Sequence, residues 1–520
     1  MNWLQREDSI AGFMPPIFPN KGDNMANYKF EEFKEYIKGK KAAVIGIGIS
    51  NTPLIKWLIS LGCQVTACDK NTEDDPVLSK NISALKQISS DIKWSLGEAY
   101  LTHLSEEYYD IVFKTPKMRF ETPELKALKD MGSILTTEME LFMNLCPAEI
   151  FAITGSDGKT TTTTLTSEIL KHAGYKVWLG GNIGTPLLDR IAEIEPDDKV
   201  VLELSSFQLL GMNTPADVAI VTNITPNHLD FHKDYDEYIQ AKVNTFRNQG
   251  PVGKVILNAG CDLTYDMKDI ARGRVKLFSA NIESVMRTDS PLYARAYTEN
   301  GRLVYDFNGE VTDLCGIDEI FIPGLHNVEN FLAAACAVID YVKPEDIAYV
   351  ARNFKGVPHR IEFIRELEGV RWYNSSIDTS PNRSLNTMNA LAARNEKGVL
   401  ICGGADKKCI YTNLGDAILN VCDRIIIYGS NGDLVTDIIA KEANGRKYEI
   451  YRIPDKAGDV YEFPETRENV VNAYKEAIEK AREWAKPGEI VIMSSIGTSY
   501  DHFRHFEHRG DMFRSMINEL

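Results

Sequence analysis

Ile153-Thr154-Gly155-Ser156-Asp157-Gly158-Lys159-Thr160-Thr161-Thr162 lies between an apolar run, Ile150-Phe151-Ala152-Ile153, and a stretch of helical pattern. A glycine loop in that setting turns its backbone N–H groups inward around phosphate oxygens, and the helix behind it adds the positive end of its dipole. Gly155, Ser156, Asp157 and Gly158 form the loop. Lys159 is placed to reach the β- and γ-phosphates, Thr160 to set its hydroxyl on Mg²⁺, and Thr161 continues the ATP-binding run. Ile153 stands where the longer form of the motif has its first glycine, so the spacing is the shorter Gly155-x-x-Gly158-Lys159-Thr160. Strand, loop and helix in that order point to a nucleoside triphosphate rather than to an ordinary capped turn.

Around this loop, 520 residues are too many for one core and suggest about three domains. Hydrophobic content of 44% and charged content of 25% fit a water-soluble globular chain. A net charge of −16 argues against a general nucleic-acid binder, which needs a basic surface to displace counterions. The nine cysteines stand singly, with no C-x-x-C pair, so neither a zinc cage nor a disulfide framework is expected. No signal peptide and no membrane span are read, so the expected location is the cytoplasm.

From Lys41 onward, short β-rich runs alternate with amphipathic segments, the pattern of parallel sheets with helices on both faces. One series of runs holds Ala42–Gly46, Gln64–Cys68, Asp110–Lys114 and Ser133–Thr136. A second starts at Glu149 and includes Lys199–Leu204, Val218–Asn223 and Lys254–Asn258. A third starts near Gly369 and includes Gly398–Cys402, Arg424–Tyr428, Tyr448–Tyr451 and Glu489–Met493. The expected fold is α/β in three domains: a Rossmann-like N-terminal domain over 39–147, a central P-loop ATPase-type parallel-sheet domain over 148–355, and a Rossmann-like C-terminal domain over 356–520. Residues 1–38 are expected to form an extension ahead of the first domain.

Polar bursts at strand ends supply the candidate sites. Val44-Ile45-Gly46-Ile47-Gly48-Ile49-Ser50-Asn51 opens a helix, and Asp69 ends the next run about twenty residues on, as in a dinucleotide site. The third glycine is missing, so a plain strand–helix turn stays open beside a diphosphate site using Ser50 and Asn51. Glu203 ends an apolar run, where a carboxylate suits Mg²⁺. His228 ends the next, as a metal ligand, a phosphoryl contact or a structural residue. Lys242 alone reads as a solvated helix lysine. His326, Asn327 and Asn330 open an alanine-rich helix, as caps or as an adenine site, and Arg360 could bind phosphate or stack on a base. Three polar ends in the last third (374–382, 403–408, 494–499) imply a second substrate, and Lys407 suggests that it is acidic. His502, His505 and His508 recur every third residue on one expected helix, but their Phe and Arg neighbours argue against a metal triad.

Taken together these residues resemble the Mur ligase family of peptidoglycan assembly. The likeness rests on Thr154-Gly155-Ser156-Asp157-Gly158-Lys159-Thr160, Gly181-Asn182-Ile183-Gly184, Glu203-Leu204-Ser205-Ser206-Phe207-Gln208, Gly324-x-His326-Asn327-x-x-Asn330 and His359-Arg360-x-Glu362. The ending Ser499-x-Asp501-x-Phe503-x-x-Phe506-x-x-Arg509-Gly510 resembles the glutamate-adding branch. The resemblance implies an ATP-dependent ligase working through an acyl phosphate, with UDP-N-acetylmuramoyl-L-alanine and D-glutamate as substrates, and a monomer without nucleic-acid or membrane partners. It implies Lys159, His228 and Lys242 as catalytic, and Thr160, Glu203, His228 and an N-carbamylated Lys242 around Mg²⁺. Asn330 and Arg360 become contacts to ATP. Ser50, Asn51, Asp69, Lys70 and Asn182 line the UDP substrate, and Thr379, Lys407, Ser499 and Phe506 grip D-glutamate.

Two stretches depart from the family pattern. Asn374-Ser375-Ser376-Ile377-Asp378-Thr379-Ser380 stands where Asn-Asp-Ser-Lys-Ala-Thr-Asn is usual, with Asp378 a candidate for the missing carboxylate. Thr115-Pro116-Lys117 stands where Ser-Pro-Gly is usual. The rival expectations are a Mur-type ligase with another acceptor and a nucleotide-sensing paralogue without catalysis.

Overall fold

The computed structural model describes residues 27–229, 231–288, 290–322, 324–406, 411–454 and 468–520. Their strands form three sheets. The first contains β1 (Lys41–Ile45), β2 (Gln64–Asp69), β3 (Lys93–Leu96), β4 (Ile111–Phe113) and β5 (Ile134–Thr136) in the order β3-β2-β1-β4-β5. Every pairing in it is parallel. Ala42 and Val44 of β1 enter one hydrophobic core, and Ala43 and Ile45 the other. Both faces are therefore covered, which is why the strand reads as continuously apolar rather than alternating. The order reverses between β1 and β4, so the crevice outside their carboxyl ends is the ligand position of this topology.

The middle sheet contains β6 (Glu149–Thr154), β7 (Val177–Gly181), β8 (Lys199–Glu203), β9 (Val218–Val221), β10 (Lys254–Asn258), β11 (Arg274–Ser279), β12 (Ala294–Glu299), β13 (Arg302–Phe307) and β14 (Glu310–Gly316). Its order is β14-β13-β12-β11-β10-β9-β6-β8-β7, with an antiparallel meander, β12 to β14, at one edge. The third sheet contains β15 (Glu362–Leu367), β16 (Val370–Ser375), β17 (Gly398–Gly403), β18 (Cys422–Tyr428), β19 (Glu449–Arg452) and β20 (Ile490–Ile496), in the order β15-β16-β20-β17-β18-β19. Only β15 runs antiparallel to its neighbour.

By internal packing the chain falls into two compact units. One holds the described residues up to Ala152 with Tyr175–Val218 and Leu229–Gly250, the other Ile153–Gly174, Ala219–His228 and Pro251–Leu520. The expected N-terminal extension needs correction where it is described. The helix Tyr28–Ile37 buries Phe30, Phe33 and Ile37, and both phenylalanines stack on Trp57 at 5.9 and 5.7 Å. Asn27 Nδ2 also donates to the Leu145 carbonyl at 2.7 Å, so this helix belongs to the first core. Residues 1–26 lie outside the described part. No described helix is long and apolar enough to cross a membrane.

One residue of the first sheet is costly. Lys114 follows β4 with 2% of its surface exposed, and its Nζ lies 4.3 Å from the centre of the Phe120 ring. The ammonium has no hydrogen-bond partner among the described residues, and burial pulls its pKa down to about 8. Folding thus disfavours the charged ammonium, a penalty present in full below about 8 and gone above the ordinary lysine value. Lys114→Met is expected to raise the unfolding free energy at pH 7 by about 2 kcal/mol. Denaturant titrations should show that gain shrinking as pH rises from 8 to 10.5.

Candidate active site

The phosphate loop is held open by its neighbours in the second unit. Ser156 N donates to Asn223 O at 2.9 Å, Asp157 N to Asn223 Oδ1 at 2.9 Å, and Thr225 N to Ser156 Oγ at 2.8 Å. Thr222 Oγ1 donates to the Asp157 carbonyl at 2.6 Å. The segment after β9 thus carries the loop's outward groups. Gly155 has φ +143°, and a Cβ there would come within 1.9 Å of Thr222 Oγ1. Gly158 has φ +78° and would meet Asn330 Oδ1 at 2.4 Å. Glycine is required at both positions, by conformation and by space.

Gly158 is also the N-cap of the helix Lys159–His172, and no side chain caps that end. The first-turn N–H groups of such a helix have no intrahelical acceptor, so together with the dipole they form an anion site. Lys159 Nζ lies over the loop, donating to the carbonyls of Gly155 (3.1 Å) and Ser156 (2.9 Å). Thr160 and Thr161 occupy the same first turn, half-buried. Asn330 is 7% exposed and accepts from Thr162 Oγ1 at 3.2 Å while donating to Asn327 Oδ1. It supports the loop from beneath. The cap of its own helix is Gly324, without a side-chain hydrogen bond, so neither His326 nor Asn327 caps it. His228, at φ +55°, is exposed in the same unit.

In the first unit, Asn182 and Glu203 form a pair. Gly181 has φ +96°, and a Cβ there would come within 2.2 Å of the Glu203 carbonyl, which lets β7 close tightly on β8. Asn182 Nδ2 donates to Glu203 Oε1 at 2.9 Å. Glu203 Oε2 is buried with no hydrogen-bond partner among the described residues, an acceptor suited to a cation. Lys242 is 2% exposed, its Nζ 4.7 Å from the centre of the Tyr238 ring. The expectation of a solvated lysine is therefore wrong. Lys242 sits on the inward face of the helix Tyr235–Val243, beside the buried Tyr238, Ala241 and Val243. Among the described residues no three His, Cys, Asp or Glu side chains cluster as a metal site.

At the β1 and β2 ends, Ser50 and Lys70 are exposed, while Asn51 is buried and donates through Nδ2 to the Ile45 carbonyl at 2.9 Å. Asp69 accepts from Ile47 N (2.9 Å) and Asn71 N (3.0 Å), bracing the turn it was expected to serve. Gly46, at φ +88°, packs against Thr115 across the β1/β4 crevice.

In the third sheet the polar ends meet. Ala405 and Thr498 exchange backbone hydrogen bonds at 3.1 and 3.0 Å. Arg509, 1% exposed, donates to the carbonyls of Ser376 (3.0 Å) and Gly497 (3.4 Å), tying the end of β16 to the end of β20. A Cβ on Gly510 would lie 2.2 Å from Ser376 Oγ and 2.3 Å from His359 Nδ1. Glu362 accepts from His359 N, Asn374 Nδ2 and both ends of the Arg514 fork. Motifs far apart in the chain thus converge here, a staple that spacing alone did not reveal. Ser499 is buried, Thr379 half-buried, and Phe506 stands edge-on to His359 at 6.0 Å. Lys407 lies outside the described residues.

Two expectations are corrected here. Asp378 is 3% exposed and accepts from Ser494 Oγ at 2.8 Å, and burial raises its pKa, so its carboxylate is spent inside the fold. Arg360, exposed, is a nearby positive charge acting on it. The three histidines do not share a helix either. The helix starts at Phe506, His505 is its N-cap through Nδ1, and His502 precedes it.

The phosphate loop of one unit is that of a nucleotide-using enzyme of the α/β class, and the other unit holds a carboxylate oxygen without a partner among the described residues. Residues 153–338 match the Mur ligase middle domain. Along 494 residues the chain is 43% identical to the UDP-N-acetylmuramoylalanine–D-glutamate ligase of Ruminiclostridium cellulolyticum, covering 95% of this chain and 100% of the relative. The ligase of the same name from Acetivibrio thermocellus is also 43% identical, over 95% of this chain and 99% of its own length. Among solved structures, the UDP-N-acetylmuramate–alanine ligase of Thermotoga maritima shares the fold with a TM-score of 0.50 at 18% identity, over 92% of this chain and 99% of its own. MurF from Acinetobacter baumannii does so with 0.51 at 15%, over 93% and 92%. The chain belongs to the Mur ligase family.

Gly158→Ala would force an alanine to positive φ against Asn330. Strain of about 1–3 kcal/mol should weaken binding of a non-hydrolysable ATP analogue at least about tenfold, read by titration calorimetry, with the far-ultraviolet dichroism unchanged.

Proposed function

We propose that the chain joins D-glutamate to UDP-N-acetylmuramoyl-L-alanine in an ATP-dependent, amide-forming step of peptidoglycan precursor synthesis. The observation that carries this reading is a phosphate loop with a bare helix start, in a chain alike over nearly its whole length to ligases of that name.

A carboxylate and an amine do not condense in water, so the carboxylate must first gain a leaving group. An oxygen of the L-alanyl carboxylate attacks the γ-phosphorus of ATP, the bond to the β–γ bridging oxygen breaks, and ADP leaves. The neutral amine of D-glutamate then adds to the acyl carbon of the acyl phosphate. The tetrahedral intermediate collapses, the C–O bond to phosphate breaks, and the nitrogen gives up a proton. Phosphoryl transfer needs mainly positioning and charge neutralisation. Gly155, Ser156, Asp157 and Gly158 shape the loop around the phosphates, Thr160 and Thr161 offer first-turn N–H groups, and Lys159 offers its ammonium. Asn330 keeps the loop in shape, Arg360 meets the nucleotide, and His228 contacts the transferring group.

The donors also fit Mg²⁺. Glu203 Oε2 is a buried oxygen without a partner among the described residues, and Thr160, His228 and Lys242 as its carbamate complete the proposed set. Bound Mg²⁺ would neutralise charge on the phosphoryl group. Ser50, Asp69, Lys70 and Asn182, with the backbone of Asn51, hold the UDP substrate. Thr379, Lys407, Ser499 and Phe506 hold D-glutamate. Domain boundaries near 147/148 and 355/356, a monomeric state and a cytoplasmic location complete the proposal.

Phosphate release from ATP with UDP-N-acetylmuramoyl-L-alanine should depend on D-glutamate and not respond to L-glutamate. Release indifferent to the amino acid would defeat the reading. Lys159→Ala should lower the D-glutamate-dependent rate by about 10³-fold.

A further inference from the structure

The loop after β4 does more than end a strand. Arg119 in this loop forms a two-pronged ion pair with Glu237, on the helix that carries Lys242. Both side chains are partly buried, with 23% and 17% exposed. Arg119 holds the Glu237 carboxyl down at about 2. Glu237 Oε2 also accepts from Lys233 N at 2.9 Å and lies 3.5 Å from His232 Nδ1. His232, 3% exposed, reaches Ser206 Oγ through Nε2 at 3.0 Å. Ser206 opens the short helix three residues after Glu203. A chain of contacts therefore runs from the first sheet to the helix of Lys242 and to the strand end of Glu203, all within one compact unit.

We infer that Arg119 and Glu237 are a positioning pair, fixing the sheet that binds the UDP substrate at a set spacing from Glu203 and Lys242. The inference rests on the proposed ligase reading. The UDP substrate is long, anchored at its nucleotide end and reacting at its carboxylate end. A small error in the spacing between those two holds misplaces the reacting carboxylate without loosening the nucleotide. A bidentate arginine–carboxylate pair fixes direction as well as distance, which one surface lysine would not do. Misplacement of about 1 Å is enough to cost about 100-fold in rate.

The test uses the full-length protein with saturating ATP and D-glutamate, varying UDP-N-acetylmuramoyl-L-alanine. Arg119→Ala and Glu237→Gln should each lower kcat by about 10- to 100-fold, with KM for the UDP substrate changed by less than about threefold. The double variant should be no slower than the worse single, and the exchange Arg119→Glu with Glu237→Arg should recover most of kcat. Unchanged kcat, a loss confined to KM, or losses that multiply in the double variant would overturn the inference. If the single variants fail to fold, the exchanged pair decides: near-native kcat supports it, and a folded protein ten times slower or worse overturns it. Wild-type protein without D-glutamate-dependent turnover would instead defeat the ligase reading.

Discussion

A backbone turn that only glycine can make, seated on the polar segment after β9 and leading into a helix start that no side chain caps, is the constraint on which the rest depends. A Cβ at Gly155 would run into Thr222 and one at Gly158 into Asn330, and both residues hold positive φ, so no other residue fits the turn. Asn223 and Thr225 take up the outward hydrogen bonds of Ser156 and Asp157. Without that seat, Lys159 and the helix start behind it would present no fixed concavity to a phosphate.

The other sheets follow the same rule of strand ends turned polar over apolar interiors. β1 is apolar on both faces and yields at once to Gly46 and the Ile47–Ser50 turn. β20 is buried from Ile490 to Ile496 and then breaks into Gly497-Thr498-Ser499. Ile496 sits at φ +63°, a costly conformation for a β-branched residue, where the strand turns into the Gly497–Ser499 segment. Arg509 ties that bend to Ser376 through the carbonyls of Gly497 and Ser376, and Gly510 leaves the room that Ser376 and His359 occupy. The acidic substrate site proposed here is built on this strained junction.

Local pattern made much of this legible. β1, β2, β4, β6, β8 and β10 are short apolar runs bounded by glycine or charge, and a period of that kind survives in one dimension. The phosphate loop was legible because its glycines, lysine and hydroxyls are contiguous. β3, β7 and β15 were not, since their half-exposed residues carry no clear apolar run. Long-range pairs leave no local trace either. Arg119 and Glu237 are 118 residues apart, and Ser376 and Arg509 are 133 apart. Charge alone misled at Lys242 and Asp378, whose burial is decided by what packs over them. Asn51 could be placed correctly in the turn while the direction of its amide, back to Ile45, could not.

The central claim is that a carboxylate oxygen becomes bonded to the γ-phosphorus during turnover. UDP-N-acetylmuramoyl-L-alanine labelled with ¹⁸O in its L-alanyl carboxylate tests it most directly, with the released phosphate analysed by mass spectrometry. Phosphate carrying one labelled oxygen for every amide formed is the predicted result. Unlabelled phosphate released alongside a labelled amide product would contradict the account.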